Sequence, residues 1–266
     1  MRFSNLHTHT RYSDGKHTVR ENIESAIEKN MLSLGFSDHS FTACDKSYCM
    51  KLESYAEYRG EIAELKREYE GVIPIFCGIE KDYYSDINRE DFDYVISSVH
   101  YIVRDGVTHP IDHAPSLQER CINDVYHGSK LDMAKGYFEL VVENARLSSP
   151  DIIGHFDVIN KFSLLPEESE EFKRICEEAL TETAKYCRRF EINTGCISRG
   201  WRSMPYPNRN LLELLLKLDC EIVINADSHD KDNLDFFFAE AAGILRDVGF
   251  KTHSVLMPGG FEKIEL

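Results

Sequence analysis

The chemistry in this chain begins at His7-Thr8-His9. Side chains two apart on an extended strand point the same way, so both imidazoles can meet one cation. Alone, the pair fits a polar surface equally well. Asp14 and His17 follow in Ser13-Asp14-Gly15-Lys16-His17, a stretch that reads as a turn unless it shares a rim with His9. Further along, apolar runs repeatedly end in metal-competent side chains: Phe36-Ser37-Asp38 leads to His39, the run 72–79 to Glu80, and the run 95–99 to His100. Ile152-Ile153-Gly154 leads to His155, and Asn225-Ala226 to Asp227-Ser228-His229, where Asp227 and His229 again share a face.

Each piece has a plain alternative. Asp38 and Ser40 fit turn caps, Glu80 fits a salt bridge to Lys81, and a single histidine fits a hydrogen-bonded core position. The joint pattern outweighs them. Six histidines (7, 9, 39, 100, 155 and 229) and three acids (14, 80 and 227) fall almost entirely at the ends of extended runs. Chance placement would scatter them over helices as well. The other histidines (17, 109, 113, 127 and 253) lie in loops or in a late segment.

Positioning such a set requires alternating elements. Strands are expected over 2–7, 33–38, 73–80, 94–100, 151–155, 190–194 and 221–227. Helices are expected over 19–30, 52–70, 133–147, 167–186, 209–218 and 234–248, with apolar residues at helical spacing such as Ile23, Ala26 and Ile27, or Ile62 and Leu65. The 81–93 link is too short for a long helix. Alternation of this kind implies a parallel sheet covered by helices. An open sheet feeds its site from a few strands at one switch point, whereas a (β/α) barrel gathers chemistry at the C-terminal ends of all its strands. Metal-competent residues at strand end after strand end favour the barrel, in one domain spanning 1–266.

Composition narrows the function classes. A formal charge of −15 argues against a nucleic-acid backbone as the main partner. No apolar leader segment follows Met1-Arg2-Phe3, and the greasiest helical stretch, 211–218, is interrupted by Glu213 and Lys217, so no membrane span is expected. The eight cysteines form no Cys-x-x-Cys pair, which excludes a zinc ribbon and reads as reduced thiols in a cytoplasmic protein.

In their order, His7-x-His9-Thr10, Ser37-Asp38-His39, Gly78-Ile79-Glu80, Ser98-Val99-His100, Gly154-His155 and Asp227-Ser228-His229 resemble the PHP (polymerase and histidinol phosphatase) superfamily. Length and motif order are similar to its histidinol-phosphate phosphatase branch, over nearly the whole chain. The resemblance implies a distorted (β/α)7 barrel with two or three divalent ions, zinc, manganese or iron. One ion would take His7, His9, Glu80 and Asp227; a second Glu80, His100 and His155; a third His39, His229 and either Asp14 or His17. Asp14 is favoured by its spacing from His9, with His17 left to face substrate.

The implied reaction is hydrolysis of L-histidinol phosphate by a metal-bridging hydroxide, with Asp227 or a nearby histidine accepting its proton and Glu80 bridging the ions. No Cys-x5-Arg or Asp-x-Asp nucleophile motif is present, so no phosphoenzyme is expected. Arg199, Arg202 and Lys161 are candidates to grip phosphate; each also fits a solvated basic loop. Segments 40–51 and 101–130 are candidate lids, offering Asp45, Tyr48, Asp105, Asp112 and Glu119 to the substrate's ammonium and imidazole. Two other readings compete: a PHP phosphoesterase acting on nucleotides or another small phosphomonoester, and a metal-binding barrel without catalysis.

Overall fold

The computed structural model describes residues 2–266. Six parallel strands form a curled sheet: β1 (Leu34–Phe36), β2 (Ile75–Asp82), β3 (Tyr94–Ser98), β6 (Ile152–Ile153), β7 (Arg189–Asn193) and β8 (Glu221–Asn225), hydrogen-bonded in that order. Helices α1 (Val19–Glu28), α2 (Tyr55–Glu68), α4 (Lys130–Ser148), α5 (Glu170–Thr183), α7 (Arg209–Lys217) and α8 (Phe238–Val248) provide the helical cover, with the short α3 (Pro115–Arg120) and α6 (Gly195–Ser198) in connections. Their caps follow the sequence: Thr18 and Glu21 make a reciprocal capping box on α1, and Ser129, Ser169 and Asn208 cap α4, α5 and α7. No helix among the described residues is long and apolar enough to cross a membrane. All eight cysteines are free thiols.

The regular part of the sheet therefore has six strands, not the seven expected. Residues 2–7 form no regular strand. They run extended between β1 and the end of β8, joined by single bridges, Asn5 to Leu34 and Thr8 to Ser228. Two asparagine side chains explain the irregularity: Asn225 Oδ1 accepts from the Leu6 amide (2.9 Å) and Asn5 Oδ1 from the Ala226 amide (3.2 Å), where a ladder would use backbone carbonyls. β6 is cut to two residues for a similar reason, because the His155 amide donates to the Glu191 carboxylate rather than continuing the ladder. Two antiparallel hairpins were also unforeseen. β4 (Tyr101–Arg104) and β5 (Val107–Pro110) occupy part of the expected lid segment, and β9 (Thr252–Met257) and β10 (Gly260–Glu265) end the chain.

Strand side chains alternate between two faces, and the two faces are filled differently. The large core packs the outer face against the helices, with Val95, Phe190 and Ile222 contributing. The inner face carries a compact apolar plug of Leu6, Phe76, Tyr94, Ile96, Ile152, Val223 and Leu256. Tyr94 crosses it like a strut, its hydroxyl within hydrogen-bond reach of the Leu6 and Phe36 carbonyls. Gly35 and Gly78 make that passage possible, since a Cβ on either would lie within 2.4 Å of Tyr94. The plug gives the polar end of the sheet a dry floor.

Candidate metal centre

Above the plug, the inner face turns polar. β2 places Glu80 inward and continues two residues further to Asp82. His39 follows β1 and bridges to Glu80, while His100 and His155 follow β3 and β6. His7 and His9 flank the Thr8–Ser228 bridge, which brings them beside Asp227. Asp227 itself sits in the left-handed region (φ 47°), a turn that aspartate tolerates better than most residues and that swings its carboxylate back over the site. Asp14 arrives on a tight loop. Gly15 lies so close to the His9 carbonyl that a Cβ would be 2.4 Å from it, and Asp38 ties the loop by accepting from the Thr10 and Ser13 amides and hydroxyls.

The nine expected ligands meet in one place. His7 Nε2 lies 3.4 Å from Glu80 Oε1 and 3.8 Å from Asp227 Oδ1, and His9 Nε2 lies 3.4 Å from Asp227 Oδ1. His100 Nε2 and His155 Nε2 lie 3.4 and 3.0 Å from Glu80 Oε1. On the outer side, His39 Nε2 and His229 Nε2 lie 3.7 and 3.1 Å from Asp14. Four overlapping groups have ligand atoms within 4.8 Å of one another: His9, Asp14, His39 and His229; His7, Glu80 and His155; His7, His9 and Asp227; and His39, Glu80 and His100.

The donor set fits cations. His7 Nε2 and both nitrogens of His9 are buried without a hydrogen-bond partner, a cost of roughly 1–3 kcal/mol each unless something binds them, and Glu80 Oε2 lies 2.6 Å from His39 Nδ1. Burial, followed by the charges of His229 and His39, pushes His9 down to about 3, leaving a neutral imidazole with a free lone pair. Against the penalty of burial, Glu80 is held well below the usual carboxylate range by His39, His7 and His100. Burial likewise opposes ionisation of Asp227, but Arg199 and His7 keep it far below its ordinary value. His7 and His100 go the other way: burial disfavours their charge, yet Glu191 and Glu80 raise the first and Glu80 and Asp82 the second. Protons on these histidines thus balance acid charge that a divalent ion could balance instead.

A cavity of about 310 Å³ opens over this cluster, with Tyr48, Tyr101, Asp112, Lys161, Arg199 and Tyr206 on its walls. Arg199 reaches Asp227 Oδ2 (2.8 Å) across Gly195, where a Cβ would stand 2.8 Å from the guanidinium. Lys161 is held by the Asp112 backbone carbonyl (2.6 Å). The structure does not bring two of the sequence candidates here. His17 lies 3.2 Å from Asp230, outside the cavity wall, and Arg202 makes a two-pronged pair with Glu167 (2.8 and 2.9 Å) and contacts the Asn160 carbonyl. Of the lid residues, Tyr48 and Asp112 line the cavity, whereas Asp45, Asp105 and Glu119 do not. A larger cleft of about 880 Å³ lies by α2 and the β9–β10 hairpin, but no histidine lines it.

Two carboxylates escaped the sequence reading. Asp82 lies 3.2 Å from His100 Nδ1 and accepts from its amide; Glu191 lies 2.9 Å from His7 Nδ1. Each is an acid at an inward position of a buried strand, a signal that was present in the pattern.

A curled parallel sheet whose polar end carries overlapping histidine–carboxylate groups defines a metal-centre protein. The chain belongs to the PHP domain family, whose model matches residues 5–195. It is 29% identical over 248 residues to a Deinococcus radiodurans protein named "Probable histidinol-phosphatase", covering 88% of this chain and 89% of that one. With the histidinol-phosphatase of Bacillus subtilis it shares 24% identity over 262 residues, 87% of this chain and 95% of the other. Among solved structures, the histidinol phosphate phosphatase of Lactococcus lactis, complexed with zinc, L-histidinol and phosphate, superposes with a TM-score of 0.73 at 20% identity, covering 98% of this chain and 99% of that one.

Proposed function

We propose that this chain is a metal-dependent phosphomonoesterase that hydrolyses L-histidinol phosphate to L-histidinol and phosphate, a cytoplasmic step of histidine biosynthesis. The observation that carries the reading is the convergence of His7, His9, Asp14, His39, Glu80, His100, His155, Asp227 and His229 at one end of the sheet, beneath a cavity that also holds Arg199 and Lys161. The extended Asn5–Thr8 segment is then the seventh stave of a distorted (β/α)7 barrel, linking β1 to the end of β8.

His7, His9, Glu80 and Asp227 would hold one divalent ion, Glu80, His100 and His155 a second, and Asp14, His39 and His229 a third, of zinc, manganese or iron. Bound ions supply positive charge for phosphoryl oxygens and bring water to reactivity near neutral pH. Arg199 donates to a phosphoryl oxygen from the Asp227 side, and Lys161, 3.4 Å from the Asp112 carboxylate, adds a second positive charge to the cavity wall. Asp227, ionised and beside Arg199, accepts the proton of the attacking water at its carboxylate. Three ions and Arg199 contribute about +7 against about −5 from Asp14, Glu80, Asp82, Asp227 and Glu191, leaving about +2 for a phosphate dianion. Tyr48 and Tyr101 offer faces for an imidazole, and Asp112 offers a countercharge for an ammonium.

Phosphate release from L-histidinol phosphate, a nucleoside monophosphate and an aryl phosphate, with metal content measured on the same sample, tests this. The highest kcat/KM is expected for L-histidinol phosphate. A nucleotide turned over as well or better would replace this substrate with the rival one.

A further inference from the structure

Glu191 is an unusual residue to bury. It sits in the middle of β7 with its side chain fully enclosed, and no lysine or arginine lies within 4.0 Å of it among the described residues. Four donors surround it. Oε2 faces His7 Nδ1 (2.9 Å) and Asn225 Nδ2 (2.8 Å); Oε1 faces the His155 amide (2.6 Å) and Asn193 Nδ2 (2.7 Å). An ionised carboxylate is acceptor-only, so it suits all four, whereas an amide would turn its NH2 against two of them in either orientation.

Two of these contacts govern prospective ligands on different strands. A carboxylate on Nδ1 fixes His7 as the Nδ1–H tautomer and leaves Nε2 free, and that Nε2 is the buried atom with no partner beside Glu80 and Asp227. The second contact pins the His155 backbone, placing its Nε2 3.0 Å from Glu80. The outer group of Asp14, His39 and His229 makes no hydrogen bond to Glu191. Asp82, by comparison, contacts His100 alone among the prospective ligands, its other oxygen accepting from the Tyr84 amide.

We propose that Glu191 is a positioning residue shared by the two inner metal positions, orienting His7 for one and His155 for the other, so that its loss empties both together while the outer position stays filled. This rests on the metal assignment given under Proposed function, but not on the identity of the substrate.

The test uses the full chain loaded with cobalt or zinc. Glu191→Gln, folded by circular dichroism, should bind two ions at least about tenfold more weakly and in step, retain the third, and lose the matching part of the cobalt visible absorption. Asp82→Asn should weaken one ion only. A Glu191→Gln protein that keeps its full metal complement, loses one inner ion alone, or loses all three in proportion overturns the proposal. If that variant does not fold, nitrogen-15 histidine NMR of the metal-loaded wild type decides: a hydrogen-bonded Nδ1–H on His7 supports the role, and metal on His7 Nδ1 removes it. A wild type that binds no metal sinks this proposal and the metal reading together. One that binds metal, shows the Glu191 effect and ignores L-histidinol phosphate sinks only the substrate.

Discussion

The two ends of the sheet are built from the same strands and do opposite work. At the lower end, inward positions are apolar, with Phe76, Tyr94, Ile96 and Val223 packing against Leu256 of the C-terminal hairpin. At the upper end, a few residues further along the same strands, the inward positions become Glu80, Glu191, Asn193 and Asn225, with histidines just beyond. Hydrophobic burial secures the lower end at about 25 cal/mol per Å². The upper end buries acids and imidazoles that water would otherwise solvate, and it is stable only if something positive settles among them. Stability and chemistry are thus divided along one axis, with the plug keeping water from the floor of the site.

Glu80→Gln should separate the ends most sharply. Glu80 faces His7, His39, His100 and His155, so removing its charge should cut turnover by about a thousandfold or more and release metal. Thermal stability of the metal-free protein should fall, because His7, His39 and His100 lose the carboxylate that balances their charge. A fully metallated, active Glu80→Gln would show that the upper end does not need its central acid.

The lower end has its own titrating group. His253 on β9 is buried against Phe3, has no partner for either ring nitrogen, and is pushed down to about 4 by burial. A folded value below the unfolded 6.5 means that its contribution is intact above about pH 6.5 and is lost as the pH falls toward 4. Between pH 7 and pH 5 this should cost about 2 kcal/mol. His253→Leu should remove that share of the loss in urea melts of chelator-treated protein, with the kcat of the metal-loaded enzyme at pH 7 unchanged. An identical pH slope in the variant would place the acid sensitivity wholly at the metal end.

A smaller contrast sits on the rim itself. Arg199→Ala should raise KM for a phosphomonoester by about 10- to 100-fold, the worth of a charge-assisted contact. Arg202→Ala should change it less than about twofold, since that guanidinium is committed to Glu167. Equal effects would mean that the loop after β7 acts as one unit.

The ligand types could be read in the sequence because parallel strands end where a barrel or curled sheet places its site, and histidines at those ends are conspicuous. His100 and His155 stand at the ends of apolar runs and His39 three residues past Phe36, and the structure gathers them. What stayed hidden depended on side chains acting in place of backbone. Asn5 and Asn225 intercept the ladder beside residues 2–7, a substitution that periodicity alone cannot reveal. Glu191 lies inside a strand rather than at its end, so a search of strand ends passes over it. Arg202 and His17 show the opposite failure: proximity in sequence to the site did not survive competition from Glu167 and Asp230. The β9–β10 hairpin, which supplies Leu256 to the plug, was not foreseen because its apolar residues carry no chemistry.

The most direct measurement strips the protein with a chelator and follows phosphate release from L-histidinol phosphate as zinc, manganese or iron is titrated back. Activity should vanish on stripping and return with the second or third equivalent bound per chain. Full activity in the stripped protein, or none at any metal occupancy, would contradict a metal-dependent phosphatase centred on Glu80.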